Sequence, residues 1–539
     1  MRSKNNRRRS ILGTVLGLIA ATAFCPGASS AQSAADQSAA ALTATTGDAD
    51  APVLTARTEI SSQALQEDFA ILKRAYLELH PSLYRYQSPS EIEEAFEQLK
   101  SAWSEDRSYA QAYLDLSALL AEIQCGHTYA NFFNQPKDVR EALFDLDDKL
   151  PLTFRFIGED MVVDHDVSGA DIPKGSRITH IDGVRVRDIL EKMLGYVKGD
   201  GSRRSPRIYD LQVSGAGRYE PFDIYFPLLN PPADGKYQLT YRTAKGRRKK
   251  AIVDPVSRKT RQDRLAAAGI EATASKADLW KFRIETVNEQ RIGYLKIGTF
   301  AMFNSPFDWR DFMETSFATV KEEQIDKLVL DLRGNGGGED RIRDAVLSAF
   351  ADRPLEGPPI RNEIAFIEAP DDLRPYLGTW DKSFFDWSGR ATEAPDVLGE
   401  GRFLLGPIDG EAIKVAANSN AFDGELVALF DRAASSATFT LAGMLKSSGR
   451  ATLIGEETGG NQRGISGGAI FFLNLPNSRL EADLPIIQST PLLGESADLI
   501  GDDGIEPDIR VDVTIEDIIE GRDPVLAEAF QFLGKSPQD

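Results

Sequence analysis

Three short stretches carry residue types that could handle a carbonyl carbon and the charge that develops on its oxygen. Leu328–Gly338, LVLDLRGNGGG, runs apolar into Arg333 and then loses almost all its side chains, with glycines on both sides of Asn335. A short apolar run closed by glycine reads as a buried strand. The glycines after it allow positive φ and close approach of another chain. Exposed N–H groups in such a turn can hold an anion or a developing oxyanion. Asp431–Phe439, DRAASSATF, places two serines where the strand 425–430 gives way to a helix near 438–446. A serine at such a turn is held rigidly and exposed. The N–H beside it lies at a helix N-terminus, where negative charge is favoured. The plainer reading of Ser436 is a helix N-cap. The third stretch, Cys125-Gly126-His127-Thr128, presents a histidine just beyond a helix end. Its plainer reading is a ring satisfied by the backbone carbonyls there.

Two other glycine-loop chemistries fail on spelling. A phosphate-cradling loop needs Gly-Lys-Ser/Thr at its end, and here Glu339 and Asp340 follow. The dinucleotide fingerprint needs glycine where Glu339 stands. Four scattered histidines and two cysteines give no HExxH or CxxC spacing, so no metal or other cofactor is expected. His80 before Pro81 is expected to pack or cap, and His165 and His180 to be solvated.

The elements that must position these groups differ along the chain. Leu65, Phe69, Leu72, Tyr76 and Leu79 form one helical stripe, which His80-Pro81 ends. A second helix is predicted to start at Ser90, with Glu93 completing a capping box. A third carries Tyr113, Leu116, Leu120 and Ile123 and is predicted to stop at Gly126. From Leu150 the period becomes that of strands, with a hairpin signal at Asp182-Gly183. Residues 195–235 are rich in Gly, Arg and Pro and poorly patterned. From Arg291 onward strands alternate with helices, which argues an α/β core. GAIFFLNLP and RLEADLPI read as a hairpin added to it.

At 539 residues the chain is too long for one ordinary core. Its net charge of −20 supplies no basic face for phosphates, which argues against a nucleic-acid partner. Arg7-Arg8-Arg9, an apolar run from Ile11 to Phe24 and the small residues 28–31 form a secretory signal, with cleavage expected after Ala31. Arg8-Arg9-Ser10-Ile11-Leu12 also has a twin-arginine reading. No stretch long enough to span a bilayer follows, so a periplasmic or secreted protein is expected, with no integral membrane span. Removing residues 1–31 takes away five positive and no negative charges and leaves Cys125 as the single cysteine. Residues 32–58, rich in Ala, Ser, Thr and Asp, read as a disordered linker.

LVLDLRGNGGG, the Ser-Ser-Ala turn roughly a hundred residues later, Gly455-Glu-Glu-Thr-Gly-Gly460 and Gly504-Ile-Glu-Pro-Asp508 together resemble the tail-specific (C-terminal-processing) serine peptidase family. The resemblance extends over nearly the whole chain beyond the signal. It implies a multidomain α/β protein: a helical domain at 59–147, a β-rich PDZ-like module at 148–255 and an α/β, ClpP/crotonase-like peptidase core at 256–539. The activity it implies is cleavage of extended or unfolded polypeptides, with no cofactor. Ser436 matches the nucleophile, with Ser435 one place away as the alternative. Ala437 and either Gly336 or Gly337 match the oxyanion donors. Many members use a lysine base in the turn that here reads Glu457-Thr-Gly-Gly-Asn-Gln-Arg-Gly464, and Asn461 stands where it would be. The tricorn-like branch instead takes a histidine from the helical domain, and His127 fits that position. A carboxylate should orient it: Glu506, with Asp502 and Asp503 as alternatives. The rival expectation is a catalytically inactive peptide- or lipid-binding protein on the same fold.

Overall fold

The structure is a computed structural model that describes residues 53–270, 275–493 and 501–534. The signal at 1–31 and most of the linker at 32–58 lie outside the described residues. Among the described residues no helix is long and apolar enough to cross a membrane.

The N-terminal part is helical. The apolar stripe read from the sequence buries one face of α1 (Ser62–Leu79), which ends at His80. Pro81 follows, and the residue before a proline avoids the helical region. α2 (Pro89–Ala102) begins two residues earlier than the capping-box spelling suggested. Its cap is Ser88, with Glu91 returning the bond to the cap N–H and Pro89 as the first helical residue. A second box, Ser108 with Gln111, caps the next helix in the same way. α3 (Tyr109–Glu122) ends before Gly126, and the left-handed residue that turns the chain is Gln124, with φ 56°.

The next part is an antiparallel sheet whose strands are ordered as they occur: β1 (Leu152–Ile157), β2 (Asp160–Asp166), β3 (Arg177–Ile181), β4 (Tyr237–Arg242) and β5 (Arg248–Val253). Asp182 and Gly183, both at positive φ, turn β3 into the short strand Val184–Arg185 as expected. The poorly patterned stretch after it contains two helices that periodicity missed: α4 (Arg204–Asp210) and α5 (Pro221–Leu229). Both are short, at seven and nine residues, below the length over which a helical period is read.

The core sheet has six strands: β6 (Trp280–Val287), β7 (Gln290–Ile297), β8 (Lys327–Asp331), β9 (Glu425–Phe430), β10 (Thr452–Gly455) and β11 (Ile509–Arg510). Their spatial order is β11-β10-β9-β8-β7-β6, parallel except for the edge strand β6. Helices cover both faces. α6 (Trp309–Glu322), α7 (Asp340–Phe350) and α8 (Ser436–Ser447) pack on one side, and α9 (Pro524–Leu533) packs on the other. That is why Leu328, Val329 and Leu330 run apolar without alternation. The α/β expectation for this core therefore holds. Between β8 and β9, and again after β10, the chain leaves the core sheet to build further antiparallel strands, including the expected hairpin of Ile470–Asn474 with Glu481–Pro485.

The helical part, the five-stranded sheet and that hairpin do not keep separate interiors. One continuous apolar cluster runs through Leu72, Tyr113, Phe154, Leu239, Phe471 and Leu484.

Candidate active site

The serine turn and the glycine loop follow adjacent parallel strands, β9 and β8, so topology brings their ends together. Asp431, the first residue after β9, ties them. Its buried carboxylate accepts the Gly334 N–H at 3.0 Å, the Ala433 N–H at 3.1 Å and the Tyr209 hydroxyl at 2.6 Å. Burial pushes its carboxyl up, against the pull of these donors. Sequence reading passed over Asp431, because a lone acid after a strand looks like an ordinary turn residue.

Ser436 opens α8 with φ 51°, a left-handed conformation that residues bearing a Cβ rarely adopt. The surrounding turn fixes it: the Ala434 carbonyl accepts the N–H groups of both Gly459 and Gly460 at 2.9 Å. Ser435 is the helix-capping position, at extended φ, and its hydroxyl donates to the Gly336 carbonyl at 2.9 Å. The two serines are thereby distinguished: one hydroxyl is committed to backbone, and no hydrogen bond engages the Ser436 hydroxyl among the described residues.

Gly337, at φ 100°, passes so near that a Cβ there would lie 2.7 Å from Ser436 Cβ and 3.1 Å from the Ala437 nitrogen. Only glycine permits this approach. Its N–H, however, is donated to Asn335 Oδ1 at 3.0 Å, and Asn335 Nδ2 is itself fixed on the Ile297 carbonyl at 2.9 Å. The N–H groups of Gly336 and Ala437 have no acceptor among the described residues. Of the two glycines read as alternatives, this conformation therefore leaves Gly336 the free donor.

The remaining part of the glycine motif is scaffolding. Asp331 is fully buried, bonded to Tyr294 Oη at 2.7 Å and to Arg333 at 2.8–2.9 Å. Burial alone would raise its carboxyl, but Arg333 outweighs that and holds it well below the usual range. Arg333 continues to Asp523, the cap of α9, at 2.7 and 2.8 Å.

His127 comes from the helical part. Burial pushes its ring down to about 4, with the Asp200 charge opposing and Lys198 adding to the fall. It is therefore neutral at physiological pH. Nδ1 is buried without a hydrogen-bond partner, and Gly467 lies over the opposite edge, where a Cβ would sit 3.6 Å from Nε2. Asp200 Oδ1 accepts the Gly126 N–H at 2.8 Å, and a Cβ on Gly126 would come 2.6 Å from Asp200 Oδ2. Gly126 is thus glycine to admit a carboxylate, not to end a helix. No hydrogen bond joins His127 to Ser436. Their surroundings are linked only through intermediaries: Asn461 Nδ2 donates to the Asp200 carbonyl at 3.3 Å, and Gly460 beside it is seated on Ala434.

None of the three acids expected to orient the ring is hydrogen-bonded to it, and two of them are engaged elsewhere. Glu506 is exposed and pairs with Arg510 at 3.6 Å. Asp502 accepts Ser202 N and Oγ at 2.6 and 2.8 Å and also the Asn461 amide. Asp503 is exposed, and it is its backbone carbonyl, not its carboxylate, that accepts the Gln462 N–H at 2.9 Å. The carboxylate whose charge reaches His127 is Asp200, which chain order gave no reason to select. Of the other histidines, His80 caps α1, its Nδ1 accepting from Ser82 N and its Nε2 3.0 Å from Thr128 Oγ1. His165 is half-buried against Thr153 rather than solvated. His180 bonds Thr179. A cavity of about 1160 Å³ lies between the five-stranded sheet and the core, with Phe156, Lys198 and Asp210 on one wall and Gly336, Asp431 and Ser435 on the other. It does not reach Ser436 or His127.

Residues 291–511 match the family model for Peptidase family S41. No curated protein matches the chain. Among solved structures, mature CPAF is 15% identical with a TM-score of 0.58, over 88% of this chain and 97% of that one. Mature CPAF complexed with lactacystin is likewise 15% identical with a TM-score of 0.58, over 88% of this chain and 98% of that one. At that identity the likeness is one of fold.

Proposed function

We propose, from the match of residues 291–511 to Peptidase family S41, that the chain is a serine endopeptidase of the tail-specific kind, acting on extended or unfolded polypeptides outside the cytoplasm. Ser436 is its nucleophile and His127 its base. The observation that carries this reading is Ser436 itself: a left-handed φ of 51° at a strand-to-helix turn, with a free hydroxyl and its Cβ close against Gly337 of the glycine loop. A conformation that costs energy is retained where function uses it.

The neutral imidazole takes the serine proton as the oxygen attacks the peptide carbonyl. The new oxyanion is received by the N–H groups of Gly336 and Ala437, donors without competing acceptors among the described residues. Collapse breaks the C–N bond, the leaving amine takes the proton from the imidazolium, and an ester to Ser436 remains. Water, deprotonated by the same ring, then releases the acid. The ring and the serine are not in contact here, and such contacts tighten when substrate closes a site. The five-stranded sheet at 148–255 is the PDZ-like module in this reading, and the N-terminal 31 residues are its export signal.

Gly337→Ala is expected to cut kcat roughly 100-fold on an unfolded polypeptide, because the added methyl displaces Ser436 and the Ala437 N–H together. Steady-state kinetics beside a thermal melt check it; unchanged kcat would remove Gly337 from the support of the site.

The second reading is an inactive binder on the same fold, favoured by the missing lysine at Asn461 and the missing bond between Ser436 and His127. A fluorophosphonate probe separates the two. The expected result is one adduct per chain, mapped by mass spectrometry to Ser436. An adduct on Ser435, or none, sinks the proposed mechanism.

A further inference from the structure

One segment of the β-rich module contacts the residues that flank each part of the proposed site. Asp200 receives the Gly126 N–H beside His127. Gly201 N donates to the Gln124 carbonyl at 2.9 Å. Ser202 holds Asp502 through N and Oγ. Arg203 reaches across to the core turn, donating to the carbonyls of Gly460 at 2.7 Å and Thr458 at 2.9 Å and pairing with Glu457 at 2.7 Å. That turn seats Ala434, two residues before Ser436. Tyr209 gives its hydroxyl to Asp431, which carries the glycine loop on one oxygen pair and the serine turn on the same carboxylate. Arg207 closes the segment on itself through the Gly201 carbonyl at 2.8 Å.

We propose that Asp200, Arg203 and Tyr209 form a strap of positioning residues, in which Asp200 orients His127 and Tyr209 fixes the oxyanion loop against the serine turn. This rests on the reading of Ser436 and His127 given above. The buried Nδ1 of His127, without a partner of its own, points to the role of Asp200. When Nε2 accepts the serine proton, the imidazolium carries an N–H at Nδ1, and the Asp200 carboxylate, held on the neighbouring Gly126 N–H, is a charge placed to favour it. The strap also supplies what the core lacks. No lysine stands in the turn at Asn461, and Asn461 instead donates to the Asp200 carbonyl, so the core reaches the base through the module. The charged groups that face the ring, Asp200 and Lys198, both belong to the strap and its approach, while Gly467 opposite is uncharged and Cys125 on the ring's own loop is buried.

The test uses the full chain with Asp200→Asn and Tyr209→Phe. Asp200→Asn should lower kcat roughly 10- to 100-fold with KM held. It should also move the acidic limb of kcat/KM to lower pH, since the lost negative charge had favoured the protonated ring. Tyr209→Phe should lower kcat and slow fluorophosphonate labelling of Ser436 while leaving that limb in place. A merely structural role would shift neither the limb nor the KM-against-kcat split. If Asp200→Asn does not fold, Tyr209→Phe, which removes a single oxygen atom, carries the test. Wild-type kcat and pH profile in the variants, with Ser436 still labelled, overturn the strap alone. Absence of label in the wild type overturns the serine reading beneath it.

Discussion

Ser436→Ala is expected to abolish cleavage of unfolded polypeptides, a fall of about 10⁴-fold or more in kcat, while Ser435→Ala keeps most of the activity. The difference lies in what each hydroxyl does at rest. Ser435 donates to the Gly336 carbonyl, so its removal loosens one backbone contact, for a net cost of roughly 1 kcal/mol. The Ser436 hydroxyl makes no hydrogen bond among the described residues, and the residue sits at φ 51°, where replacement by alanine leaves the backbone demand unchanged. The fold should therefore survive the substitution, which separates chemistry from stability. Circular dichroism and a thermal melt run with the assay decide it. Substantial turnover by Ser436→Ala, or loss of turnover in Ser435→Ala, would exchange the roles of the two residues.

His127→Ala should lower kcat by about 10²–10⁴-fold, the range of a positioned general base. Combined with Ser436→Ala it should cost little more than the serine substitution alone, since residues that act as a unit do not add. The pH profile gives an independent check. A base must be neutral, and burial holds this ring at about 4, with Asp200 opposing and Lys198 assisting. The protonated form is the inactive one, so a lowered pKa extends activity toward acid. kcat/KM should stay level from neutrality down to near pH 4 and fall below it. An acidic limb at about 6.5, the value of a solvated imidazole, would mean that the titrating histidine is not the buried one.

How far the sequence went can be read from particular residues. The apolar run at Leu328–Leu330 announced a strand buried on both faces, because no alternation was left to interpret. Ser436 was visible as a small polar residue at a strand-to-helix change, a local signal. Capping was off by one motif: Ser88 and Ser90 both precede a glutamate at the right distance, and Pro89 decides for Ser88 by fixing the first helical residue. Gly126 was read as a helix stop because glycine ends helices often. Its reason lies seventy-four residues away in a carboxylate it makes room for. Asp200, Arg203, Tyr209 and Asp431 share that character. Each acts across elements, none stands in a local pattern, and spacing along a chain carries no record of which loops will meet. Glu506 was favoured through its place near the end of the chain, and position in sequence proved a poor guide to where its side chain would lie.

The shared apolar cluster has a consequence for how the molecule comes into being. Its members span Ile60 to Ile486, so the helices made first and the strands that follow them have no complete interior until the hairpin at 470–485 arrives. A ribosome adds about 5–20 residues per second. For tens of seconds the emerging N-terminal half must present bare leucine and phenylalanine faces to its surroundings. Maturation of the peptidase is therefore tied to the last stretch of its synthesis, and a message cut short before that hairpin would yield a chain with nothing to close against.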